Sequence, residues 1–119
     1  MNESGEEYEP TIGDIAIAPF PFADSDETKL RPVVVVSALP HGAYLVVFVT
    51  STNKIESAYD ITLAPNTINN LKVPSRIRVN RMTVVSGDLL VRKLGTLSSA
   101  EKVEVSERLT LLAKEFTSL

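Results

Sequence analysis

Arg31-Pro-Val-Val-Val-Val-Ser37 and Tyr44-Leu-Val-Val-Phe-Val-Thr50 decide how this chain folds. Each is a run of β-branched and aromatic residues closed by a hydroxyl residue, the composition of a strand half buried on a pleated surface. Between them Ala38-Leu-Pro-His-Gly-Ala43 carries Pro and Gly, which supply turn geometry. Two strands joined by a short turn pair antiparallel as a hairpin. With the tip at Pro40 and His41, Arg31 falls opposite Thr50. Opposite residues have Cα atoms about 4.5–5.5 Å apart and side chains on one face. A slip of one residue would bring Ser51 opposite Arg31 instead, which is still a hydroxyl.

Outward from the hairpin, the pattern stays β-rich. Asp14 to Ala18 reads as a strand that Pro19-Phe20-Pro21-Phe22 stops, because Pro cannot donate into a ladder. An acidic loop with Asp24, Asp26 and Glu27 follows. Asp60 to Leu63 is a short strand, and Asn66 to Asn70 a turn or a single helical turn. Ser75-Arg-Ile-Arg-Val-Asn80 alternates, which predicts Ile77 and Val79 inward and Arg76, Arg78 and Asn80 outward. Met82 to Val85 continues as strand, Ser86-Gly-Asp88 turns, and Leu89 to Val91 forms another short strand. Ser98-Ser-Ala-Glu101 is a capping box that opens a helix. Val105, Leu109, Leu112 and Phe116 make one stripe along it, expected to pack on the sheet.

The totals bound the chemistry. A chain of 119 residues with 44% hydrophobic residues forms one domain with its own core. Residues 1–10 read as a disordered acidic tail, with order beginning near Ile12 and a single domain over 11–119. The start of the chain does not resemble a signal peptide, and no apolar run approaches a membrane span. With no Cys, thiolate metal sites, disulfides and a Cys nucleophile are excluded, and a cytoplasmic location is favoured. The single His41 sits in a turn beside Gly42, a poor place for a catalytic triad, and one His cannot complete a zinc site.

Charge is unevenly spread. The net charge is −3, yet Glu3, Glu6, Glu7 and Glu9 crowd the first ten residues. From Lys29 to Lys93 nine bases face only Glu56, Asp60 and Asp88, a local net of +6. Such a face suits a polyanion, although a merely solvated basic surface has the same composition. Arg31, Thr50 and Ser51, with Arg78 and Asn80, form a set able to bind phosphate, since a guanidinium matches phosphate bidentately and stays charged. Such a set suits RNA cleavage in which the ribose 2′-hydroxyl attacks its own phosphate. The protein then supplies orientation and charge stabilisation, with no nucleophile, metal or cofactor of its own. What the set lacks is an evident general base.

Gly13-Asp-Ile, Pro19-Phe-Pro-Phe22, Lys29-Leu-Arg-Pro-Val-Val-Val-Val-Ser37 and Val49-Thr-Ser-Thr52 resemble, in order and spacing, the PemK/MazF family of toxin–antitoxin ribonucleases. Ser75-Arg-Ile-Arg-Val-Asn80 and Lys93-Leu-Gly-Thr-Leu-Ser98 extend the likeness over about residues 12–116. The resemblance implies a mainly β (by some schemes α+β), SH3-like, strongly twisted antiparallel barrel with a C-terminal helix. It implies a homodimer that cleaves single-stranded RNA, usually mRNA, sequence-selectively and without metal. It also implies an antitoxin whose acidic tail occupies the RNA groove. The family's catalytic Arg falls on Arg31 and its Thr on Thr50, with the adjacent hydroxyl at Ser51. A strand Arg and an Asp found in some members fall on Arg78 and Asn80, and Asn cannot act as a carboxylate base. Phe20, Lys29, Thr52, Lys54 and Arg76 are the RNA-binding candidates. Phe20 and Phe22 could stack bases, or close the barrel core.

Three alternatives accompany that reading. A copy weakened at Asn80 would bind RNA or an antitoxin without efficient cleavage. A CcdB-like gyrase inhibitor of similar fold depends on a C-terminal Trp, and this chain has none. The acidic tail could also fold over the basic groove.

Overall fold

A computed structural model describes residues 8–21 and 28–118, with the side chains of Phe20, Pro21 and Thr28 left out. The acidic loop at Asp24, Asp26 and Glu27, Phe22, and the tail glutamates Glu3, Glu6 and Glu7 lie outside the described residues, as does the proposed stacking role of the Phe20 ring. Six strands follow in chain order: β1 (Asp14–Pro21), β2 (Thr28–Leu39), β3 (Ala43–Thr50), β4 (Asp60–Leu63), β5 (Ser75–Ser86) and β6 (Arg92–Thr96). One helix, α1 (Ser99–Thr117), closes the chain. The strands form one antiparallel sheet in the order β4-β5-β3-β2-β1-β6, curled into a half-barrel with the helix at its C-terminal end.

The hairpin at its centre is β2–β3. Its turn is a three-residue 3-10 turn, Pro40–Gly42, with His41 at φ 64° and Gly42 at φ 72°. Leu39 therefore faces Ala43, one step off the expected register. An irregularity between Val35 and Ser37 then takes up one residue, so Val35 faces Val46, Val34 faces Val47 and Val33 faces Phe48. That is the register expected from the sequence, reached through a longer turn and a compensating bulge at Val36.

Two strand limits differ from expectation. β1 does not stop at Pro19; it runs on to Pro21, pairing Pro19 with Leu30 and Phe20 with Lys29. β6 accompanies β1 only from Asp14 to Ile17, so beyond that point one side of β1 is an edge, where a missing N–H costs no ladder bond. The last strand is Arg92–Thr96 rather than Leu89–Val91. Leu89 ends a 3-10 turn, and Val91 N–H donates to the Ile17 carbonyl at 2.8 Å.

Both faces of the sheet are covered. One buries Ile15, Val34, Val47, Val49, Ile61, Leu63, Ile77 and Val79 under Leu97 and Val105. The other buries Ala16, Ala18, Val33, Val35 and Val46 with Val85 and Leu90, against Tyr8, Tyr44 and Phe48. Tyr8, four residues ahead of Ile12, is thus already packed on the sheet. Tyr8 Oη donates to Asp14 Oδ2 at 2.7 Å, and burial, then this bond, pushes the phenol pKa far up. The buried Asp14 also accepts the Thr11 N–H at 2.9 Å and meets Lys93 Nζ at 3.5 Å.

The capping box forms as expected: Ser98 Oγ accepts from Glu101 N–H at 3.1 Å, and Glu101 Oε1 accepts from Ser98 N–H at 2.8 Å. The helical stripe packs only at its start. Val105 and Leu109 join the first core, whereas Phe116 is 91% exposed. Nineteen residues make a helix of roughly 28 Å, and its last turns leave the sheet behind.

Gly95 marks a close approach. A Cβ there would lie 2.3 Å from the Asn69 carbonyl oxygen. Asn69 is itself fully buried and holds the Asn66–Leu71 turn through its side-chain amide. Gly95→Ala is expected to destabilise the domain by about 1–3 kcal/mol through overpacking, read as a lower urea midpoint.

Candidate active site

Cross-strand pairing lays the candidate residues out in rows. Ala18 pairs with Arg31, Thr50 with Arg76, and Arg76 with Thr62. The paired part of β2 and β3 ends at Val33 and Phe48, and two residues beyond it Arg31 and Thr50 lie at the same end of the sheet. Thr62, Arg76 and Thr50 therefore share one row, and Arg31, paired with Ala18, lies at the same end of that face. The next row on the same face is Asp60, Arg78, Phe48 and Val33. Arg31 and Thr50 are both half-buried at this end of the sheet, with Ser51 exposed beside them.

A nine-residue loop, 51–59, leaves Thr50 and crosses the same face before β4 begins. It starts with a pair of hydroxyl-capped turns. Thr50 Oγ1 accepts from Thr52 N–H at 3.4 Å, and Thr52 Oγ1 accepts from Lys54 N–H at 3.3 Å. Lys54 is exposed, as is Lys29 on β2.

Arg76 and Arg78 do not stand outward as the alternation predicts. Arg76 donates to Thr62 Oγ1 at 2.9 Å and to the Asn53 carbonyl at 3.2 Å. Arg78 is only 7% exposed. It donates to Asp60 Oδ2 at 2.9 Å and to the Lys54 carbonyl at 3.1 Å, and lies 3.5 Å from Glu56 Oε1. The alternation assigns the correct face to both arginines. That face is covered by the loop, so a charged side chain on it is buried and paired rather than solvated.

Nor do Arg78 and Asn80 continue as one outward row. Between Arg78 and Met82 the pairing with β3 shifts, because Phe48 faces Arg78 while its neighbour Val47 faces Met82. Val79 remains buried, and Asn80 and Arg81 emerge exposed from the irregularity.

Glu56 and Asp60 belong to this site, although sequence reasoning places no carboxylate in it. Asp60 accepts the Glu56 N–H at 2.7 Å as well as the Arg78 guanidinium. Glu56 receives a two-pronged contact from Arg81, at 2.8 and 2.6 Å. The available signal was their rarity: they are two of the three acids in the basic stretch. Which arginines they meet depends on the loop's path. The Arg81 hydrogen bond, followed by the charges of Arg78 and Arg81, holds the Glu56 carboxyl below its ordinary value of 4.5. Glu56 in turn raises the Arg81 guanidinium. Among the described residues, no cluster of three His, Asp or Glu is arranged to hold a metal ion.

A curled six-stranded antiparallel sheet with one capped C-terminal helix matches the MazF-like fold. The chain belongs to the PemK-like, MazF-like toxin family of type II toxin–antitoxin systems, whose model matches residues 11–113. A comparison with curated protein sequences gives no match. Among solved structures, the MazE–MazF complex of Deinococcus radiodurans aligns with TM-score 0.73 and 18% identity over 91% of this chain and 98% of that one. The Mycobacterium tuberculosis toxin MazF-mt6 aligns with TM-score 0.64 and 22% identity, over 80% and 90%. An endoribonuclease in complex with its cognate antitoxin from Mycobacterial species aligns with TM-score 0.68 and 14% identity, over 87% and 93%. At these identities the structures share the fold.

Two stability predictions follow from the ion pairs. Arg78→Met leaves the Asp60 carboxylate buried and unpaired, and is expected to cost about 3–5 kcal/mol by urea unfolding. Arg81→Met, at an exposed pair, should move the midpoint little. Glu56, with its folded-state pKa lowered, contributes stability that is present above its unfolded value and lost as pH falls through the folded one. Glu56→Gln should therefore flatten part of the decline in stability between neutral pH and about pH 3. Identical acid profiles for the two proteins would contradict this linkage.

Proposed function

We propose that this toxin is a sequence-selective endoribonuclease that cuts single-stranded RNA, chiefly mRNA, without a metal. The observation that carries the proposal is that Arg31 and Thr50, on the two strands of the central hairpin, are both half-buried at the same end of the sheet. The family membership and the endoribonuclease relatives of the same fold support it.

In this reading the RNA phosphate sits between the Arg31 guanidinium and the Thr50 and Ser51 hydroxyls. The substrate's 2′-oxygen attacks phosphorus and the bond from phosphorus to the 5′-oxygen breaks. The products are a cyclic phosphate and a 5′-hydroxyl. Arg31 stabilises the charge that grows on the phosphorane, and the hydroxyls orient the phosphate for in-line attack. The 2′-proton leaves to a base and a proton returns to the 5′-oxygen. A guanidinium is unsuited to either transfer because it stays protonated throughout. Lys29, Lys54 and Thr52 lie beside this row and would track the RNA backbone. The working unit is a homodimer in the cytoplasm, held in check by an antitoxin with an acidic C-terminal tail. Two of the similar solved structures, MazE–MazF and the mycobacterial endoribonuclease, are toxin–antitoxin complexes.

A second reading is favoured by Asn80. It is an exposed amide, and Arg78 two residues before it is already engaged by Asp60. In that reading the copy binds RNA or its antitoxin and cleaves slowly.

Purified protein incubated with a mixed single-stranded RNA in EDTA should cut it, and Arg31→Ala should lower the rate by about 10²–10³-fold. Equal cutting by both proteins rejects Arg31 as catalytic. A silent wild type that Asn80→Asp switches on supports the second reading.

A further inference from the structure

Four arginines, three from the basic stretch and Arg108 from the helix, each hold one point of the loop that follows Thr50. In loop order, the Asn53 carbonyl accepts from Arg76 at 3.2 Å and the Lys54 carbonyl from Arg78 at 3.1 Å. The Glu56 carboxylate is gripped by Arg81, and the Ala58 carbonyl accepts from Arg108 Nε at 3.0 Å. The first three arginines come from β5 and the fourth from α1. Beneath them Asp60 accepts both the Arg78 guanidinium and the Glu56 N–H, which ties the latch to β4.

We propose that Arg76, Arg78, Arg81 and Arg108 are positioning residues that latch the 51–59 loop against the sheet, and that they are not phosphate ligands. The inference rests on the proposed RNA-cleaving function for its consequence: the loop begins at Ser51, and Thr52 N–H is bonded to the Thr50 hydroxyl, so the latch sets where these hydroxyls stand.

The chemistry favours latch over ligand. A phosphate seat needs guanidinium N–H groups aimed at solvent. Arg78 is buried and spends its bonds on a carboxylate and a carbonyl, and Arg76 spends its own on Thr62 and Asn53. Arg suits this work because its planar fork can hold two partners at once. Peptide carbonyls in a loop without secondary structure otherwise have only water to donate to them. The loop is thus ordered by side chains in place of a ladder. Three of the nine bases of the basic stretch are used in holding the loop, and in the proposed function Lys29, Arg31 and Lys54 meet the RNA.

The loop contains a reporter, since trypsin cuts after Lys54, whose carbonyl Arg78 holds. Native-state cutting tracks the population of the open loop when opening and closing are fast. The full chain, Arg81→Gln, Arg108→Gln and Arg108→Lys are digested briefly, and the Lys54–Ile55 cut is quantified by mass spectrometry. Arg81 and Arg108 are surface pins, so their variants keep the fold, whereas Arg78→Gln also uncovers Asp60 and does not decide the matter. In parallel, affinity for a single-stranded oligoribonucleotide is measured against salt, with Lys54→Gln as control. Arg81→Gln and Arg108→Gln are expected to speed the cut about five- to tenfold. Arg108→Lys should restore part of the protection, and the salt slope should stay at the wild-type value in every variant except Lys54→Gln. Unchanged cutting in both Gln variants overturns the latch, and so does a salt slope lowered by about one in either. A wild type that binds no RNA rejects the proposed function, while the digestion still decides the latch.

Discussion

The β2–β3 register is the constraint on which the rest of the molecule depends. Val33, Val34 and Val35 face Phe48, Val47 and Val46, and every other strand is built outward from that pair. In a sheet buried on both faces a one-residue slip exchanges the two sets of side chains. Here it would turn Arg31 toward the first core and drive Val34 into the second. The bulge at Val36 absorbs the extra residue of the 3-10 turn and keeps Arg31 and Thr50 on the polar end of one face. The site is therefore a by-product of packing two hydrophobic layers, each of which rejects the wrong register.

The second face is divided along its width. Toward β1 and β2 it is apolar, with Ala16, Ala18 and Val33 buried under Tyr8 and Leu90. Toward β4 and β5 it carries Asp60, Thr62, Arg76 and Arg78. Burying charge there is costly unless each group finds a partner. The partners are Asp60, Glu56 and the carbonyls of the 51–59 loop. Such pairing contributes little net stability relative to an apolar filling. What it supplies is a defined place for a loop that has no ladder, directly beside Thr50. Arg31 stands half-buried at the boundary of the apolar and polar halves.

The sequence shows the hairpin, the short β4, the alternation of β5 and the capped helix because each depends on local geometry: side-chain period, turn residues, and a hydroxyl three residues before a carboxylate. It also puts Arg31 and Thr50 at the open end of the hairpin, since a hairpin converts sequence spacing into position along the paired strands. It does not show that β1 passes through Pro19, because that depends on where β6 ends. It does not show that Phe116 is exposed, because a helical stripe records amphipathicity and not the length of the surface it meets. The role of Tyr8 is hidden for a similar reason. Its partner Asp14 is near in sequence, but the apolar surface that covers its ring comes from strands far along the chain.

By itself, then, the sequence determined the β-rich class and the central register, both consequences of contacts between residues close along the chain. Tertiary structure decided what the remaining arginines do. Arg76, Arg78 and Arg81 read as part of a basic surface until the 51–59 loop is laid across them, and Arg108 of the helix joins them there. Which charges are buried, paired or left to meet a ligand depends on that long-range fold, because desolvation and pairing depend on what lies above a side chain and not on its neighbours in sequence.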